Sequence, residues 1–195
     1  KVTDEYKEDV IAVVYYLLVL QRSLTSTVSN ATLIIESSTI RTKSIEFATF
    51  FINGGLFAFK TEHVLEAHSA SEISSVSIGS PSERIGVLAI QAEQKESGYA
   101  WVYDLSYLLG GIPKTRDGGS QVVVVQHQAH KVGFLVSLLN SATEFDLSQI
   151  SPSPFLTNSN GLLVKSIIQA NEGKVLIKWV DIDYLFKMLS NPLRR

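Results

Sequence analysis

The sequence contains no cysteine in its 195 residues. That excludes a disulfide framework, thiolate metal sites and a thiol nucleophile, and it fits a reducing cytoplasm, the expected location. An excess of one charge is also missing: the formal net charge is -2, and the one basic pair is the terminal Arg194-Arg195. Nucleic acids and anionic membrane surfaces recruit concentrated positive patches, so neither is an expected partner. Long apolar runs are lacking as well. The longest, "VIAVVYYLLVL" from Val10 to Leu20, falls short of the roughly 20 residues that cross a bilayer. It follows the acidic "DEYKED" rather than a basic leader, so membrane insertion is not expected.

Catalytic signatures are equally scarce. Gly54-Gly55, Gly110-Gly111 and Gly118-Gly119 are isolated pairs without the Lys-Ser/Thr of a phosphate loop, and no Gly-x-Ser-x-Gly elbow occurs. His127 and His130, in "HQAH", lie on a turn with no acid nearby in sequence, and read as solvated turn residues. His63 and His68 flank "VLEA" and read as surface residues. Asp181 and Asp183 read as a helix cap with a solvated neighbour, not as paired acid–base carboxylates. No enzyme activity, cofactor or metal is expected.

What is present is an ordinary globular composition, 45% hydrophobic and 18% charged, enough for one domain with a sizeable core. The chain opens on Lys1 rather than Met and reads as a fragment or as lacking its first residues. Residues 1–44 read as an N-terminal helical extension, capped at Thr3 or Asp4, followed by a Ser/Thr-rich linker from Ser23 to Ser44 with one short apolar island. Residues 45–195 read as the compact domain. There, "IEFATFFI" and "LFAFKT" flank the turn signal Asn53-Gly54-Gly55. Further apolar pairs follow: "ERIGVLAIQA" with "GYAWVYDLSYLL", "SQVVVVQHQ" with "HKVGFLVSLL", and "GLLVKSIIQA" with "GKVLIKWVDI". Short helices are expected at about 104–109 and 181–190, each opened by an Asp cap, Asp104 or Asp181. Short, evenly spaced strands of this kind suggest a mainly β protein built of small barrels.

From Glu46 to Leu189 the chain resembles the CheW-like domain of bacterial chemotaxis coupling proteins. The resemblance rests on five blocks in order: "FFINGGLFAFKTEHVLE" with its Val64-x-Glu66; Gly86-Val87 and "WVYDL"; "QVVVVQHQAHKVGFLV" with Gly133 and Val136; "ISPSPF"; and "VLIKWVDIDYLF". It implies a fold of two five-stranded, SH3-like barrels sharing a hydrophobic core, and the work of a non-catalytic adaptor. One surface would dock on the regulatory domain of the chemotaxis histidine kinase, and a groove between the barrels would hold the chemoreceptor cytoplasmic tip. Carried over to this chain, the groove residues are Val64 and Glu66 on one side and Leu135, Val136 and Leu139 on the other.

Two departures stand out. Where the family has Asn-Leu-Arg-Gly after Gly-Val, this chain reads "LAIQAEQKESGYA", without arginine, and Ser137 replaces a frequent aspartate. Two alternative readings follow: a CheW-like module of a larger protein that localises or modulates the signalling array, and, in a different class, a small-molecule-sensing β-barrel.

Overall fold

The computed structural model describes residues 43–76, 83–90, 98–113, 118–154 and 163–190. The expected N-terminal helix and linker lie outside them, apart from the last two linker residues. The strands in chain order are β1 (Ser44–Ile52), β2 (Gly55–Lys60), β3 (Val64–Ser69), β4 (Arg84–Ile90), β5 (Gly98–Asp104) and β6 (Gln121–His127). They continue with β7 (His130–Val136), β8 (Leu138–Asp146), β9 (Ile150–Pro152), β10 (Val164–Ala170) and β11 (Val175–Val180). Helix α1 (Leu105–Leu108) follows β5, and α2 (Ile182–Leu189) follows β11.

Local chemistry explains the elements. Asn53 (φ 47°) and Gly54 (φ 78°) both occupy left-handed backbone in the two-residue turn that closes β1 on β2, the geometry that an Asn-Gly pair favours. Both helices begin as the sequence suggests: Asp104 Oδ1 accepts from the Tyr107 amide at 3.3 Å, and Asp181 Oδ1 from the Tyr184 amide at 3.0 Å.

The strands form two sheets. One has six strands in the order β8-β1-β2-β11-β10-β9, the other five in the order β3-β6-β7-β5-β4. The expectation of two five-stranded closed barrels is therefore corrected. An additional three-residue strand, β9, enlarges the first sheet, and among the described residues no ladder joins the edge strands of either. Instead a tight 3-10 turn bends the chain at each open corner. Residues Leu147–Gln149 link β8 to β9, and Ala70–Glu72 follow β3. Each turn carries reciprocal capping, Ser69 with Glu72 and Asp146 with Gln149, which satisfies the amides that leave the ladder. In the five-stranded sheet a single bridge, Ser74 to Val87, reaches across to β4.

Each sheet encloses apolar residues of its own, and a larger cluster lies between the sheets. Phe47, Phe145, Ile168 and Ile177 fill the first sheet, and Leu88, Val102, Val122 and Leu135 the second. The shared cluster includes Phe50 and Phe59 of the first sheet, Phe134 and Val136 of the second, and Leu185 and Phe186 of α2. Ring centroids run Phe50–Phe59 at 4.8 Å, Phe59–Phe134 at 5.7 Å and Phe134–Phe186 at 6.5 Å, within the range of favourable aromatic pairs.

The Ser74–Val87 bridge explains Gly86. A Cβ there would lie 2.4 Å from the Ser74 carbonyl oxygen and 2.6 Å from Ile73 Cγ2, so backbone would have to move. Gly86→Ala is expected to cost about 1–3 kcal/mol, the usual range for overpacking, read as a lowered midpoint in urea unfolding of the full chain; an unchanged midpoint would mean that the corner is slack.

Candidate functional site

The polypeptide passes between the sheets twice. The first passage is the 3-10 turn Thr61–His63, from β2 to β3; the second is Ser137, from β7 to β8. The two groups of candidate residues stand at these passages: Val64 and Glu66 open β3, while Leu135, Val136 and Leu139 bracket Ser137. β6 lies between them, with Val64 opposite Val125, Glu66 opposite Val124, and Leu135 and Val136 opposite Val122 and Gln121.

All five side chains are buried: Val64 is 4% exposed, Glu66 8%, Leu135 1%, Val136 0% and Leu139 5%. Val64, Val136 and Leu139 belong to the cluster shared by the sheets. Leu135 points the other way, into the core of the five-stranded sheet, as alternation along a strand requires. Surface at the second passage comes from Leu138, which is 42% exposed and opposite Phe51.

Hydrogen bonds hold this passage rigidly. The Ser137 amide donates to the Phe51 carbonyl at 2.8 Å, and Ser137 Oγ accepts from the Asn53 amide at 3.3 Å. Buried Gln121 turns its Oε1 to accept from the Leu139 amide. Asn53 Nδ2 donates to the buried Ser106 Oγ at 2.7 Å, tying the β1–β2 turn to α1 across the two sheets.

Glu66 is not a solvated charge. Its Oε1 lies 3.5 Å from His68 Nε2, and His68 Nδ1 lies 2.9 Å from Glu72 Oε2. The first contact is long for a hydrogen bond, and neither buried atom has a hydrogen-bond partner among the described residues. His68 is thus no simple surface residue. The Glu66 carboxylate raises its pKa above the usual value, and Glu72 adds to the effect, while burial opposes both. A second histidine also departs from the solvated reading. His127 Nδ1 comes within 3.4 Å of Asp183 Oδ1, and its ring centroid lies 5.2 Å from that of Phe186. Among the described residues no group of three or more His, Asp or Glu is placed to hold a metal.

Arg84 is a further residue that sequence reasoning passes over. On β4, two positions before Gly86, it lays its guanidinium over Trp101 at 4.4 Å and within 5.8 Å of Tyr103. Such stacking contributes about 0.5–1 kcal/mol at an exposed site. The signal available in sequence is the alternation Tyr99, Trp101, Tyr103, which puts three rings on one face of β5.

Two sheets of six and five strands packed over a shared apolar core define the class, a mainly β domain. Residues 46–190 match the family described as CheW-like domain, and the chain belongs to that family. The fold is similar to the crystal structure of scaffolding protein TtCheW from Thermoanaerobacter tengcongensis, with a TM-score of 0.63 and 18% identity over 74% of this chain and 94% of that one. No curated relative matches the chain. Among the described residues no helix is long and apolar enough to cross a membrane.

The His68 contacts have a pH signature. A histidine whose pKa is raised on folding stabilises fully below its unfolded value of about 6.5, and the contribution fades as pH rises through the folded value. Thermal unfolding of the wild type and His68→Gln should therefore differ most near pH 6 and converge at alkaline pH. A difference that stays constant across that range would contradict the double-carboxylate contact.

Proposed function

We propose that this chain is a non-catalytic adaptor of bacterial chemotaxis signalling that docks to the chemotaxis histidine kinase regulatory domain and to the chemoreceptor cytoplasmic tip. The observation that carries the reading is the match to the CheW-like domain family over residues 46–190. The similarity in fold to TtCheW, a scaffolding protein, accords with it.

The seam between the sheets is the surface we assign to the receptor tip. Val64, Val136 and Leu139 shape it from below, Leu135 braces β7 from the opposite face, and Glu66 fixes His68 beside the first passage. Leu138 supplies exposed apolar area to an incoming helix. An amphipathic helix in an apolar groove is a recurrent mode of recognition, with affinity concentrated in a few central contacts. Kinase docking uses another surface, as an adaptor that binds two partners at once requires. The missing arginine in "LAIQAEQKESGYA" favours a receptor contact that leans on apolar burial more than on a charged anchor.

The test is a pull-down of the full chain with a chemoreceptor cytoplasmic tip and, separately, with a chemotaxis kinase regulatory domain. Binding to both is expected; binding to neither would overturn the reading. Leu138→Glu should weaken receptor-tip binding about tenfold or more, as loss of a central contact worth about 1.4 kcal/mol does, and should leave kinase binding unchanged. Equal loss toward both partners would remove the assignment of the seam.

A further inference from the structure

The outer face of the β4–β5 pair is apolar, aromatic and uncovered among the described residues. Tyr99 is 75% exposed and Trp101 40%. Trp101 is opposite Val87, and Tyr99 opposite Ala89. Arg84 is stacked over Trp101. No carboxylate pairs with it among the described residues. A guanidinium held against a ring is ready for a carboxylate. The face therefore asks for an occupant that carries acidic groups beside aliphatic ones.

The chain itself has such a segment. "DEYKEDVIAVVYYLLVL" places Asp4, Glu5, Glu8 and Asp9 directly before an apolar run from Val10 to Leu20. We propose that residues 4–20 of the same chain dock on this face, with the acidic end at Arg84 and the apolar run against Trp101 and Tyr99. Reach is no obstacle. The 22 residues from 21 to 42 span up to roughly 70 Å when extended, against a radius of gyration near 15 Å for a domain of this size. The guanidinium favours this face. Lys60 and Lys165 both lie over Trp179 in the other sheet, Lys60 with Glu62 at 3.1 Å, but each is a point charge, whereas Arg84 offers a planar fork that matches a carboxylate and has no ion-pair partner among the described residues. Docking in cis covers exposed aromatic surface that otherwise invites association, and it makes that face available only when the segment is displaced.

Hydrogen exchange of the full chain tests this. Amides of residues 10–20 should exchange at least tenfold more slowly in the wild type than in Arg84→Glu, at any protein concentration. Replacing Asp4, Glu5, Glu8 and Asp9 together by Lys, which leaves the described domain untouched, should cause the same loss. Combining those changes with Arg84→Glu should restore protection, with β6 amides protected throughout as the check on folding. Protection that ignores both charge changes, or that appears only as concentration rises and so marks a second copy, would overturn the proposal.

Discussion

The two sheets depend on the apolar cluster they share. Among the described residues neither sheet closes on itself, and each turns apolar side chains into a cluster shared with the other. Phe50 and Phe59 from one side, Phe134 and Val136 from the other, and Phe186 of α2 exclude water from both faces at once. Burying apolar area at about 25 cal/mol per Å² makes this seam the main source of cohesion between the sheets. It also explains why the two passages of the chain stand where they do. Thr61–His63 and Ser137 are turns across a packed interface, and the residues beside them are fixed by it.

Much of the architecture is legible in the sequence because its signals are local. Asn53-Gly54 forces a hairpin, Asp104 and Asp181 cap helices, and the four-valine run of β6 fits a buried strand and little else. The elements that escape sequence reasoning have weak or misleading local signals. "VLEAHS" is polar for a core strand, yet the fold buries Glu66 with His68 Nε2 3.5 Å from its carboxylate. "LLNSATEFD" lacks the apolar alternation of a strand, yet it forms β8 beside β1. Its Asn140 and Ser141 bond to buried Thr49 at a bulge in β1, so the polar pattern that hides the strand is what attaches it. The split of "HKVGFLVSLL" at Ser137 has no local signal either, since the passage depends on bonds to Phe51 and Asn53, far earlier in the chain.

The candidate site is legible in position and less so in character. Val-x-Glu and Gly-x-x-Val mark the two passages, but all five side chains are buried, and exposed apolar area beside the second passage comes from Leu138. Arg84 illustrates the converse: it belongs to no quoted motif, yet stacking on Trp101 makes it the most pre-organised cation described on the five-stranded sheet.

The central claim is that the seam between the sheets is the docking surface. Hydrogen exchange of the full chain with and without a chemoreceptor cytoplasmic tip measures it most directly. Added protection should concentrate in residues 61–69 and 134–141, on both sides of the seam. Protection confined to the strands β9 to β11, or no change with the tip at saturating concentration, would contradict the account.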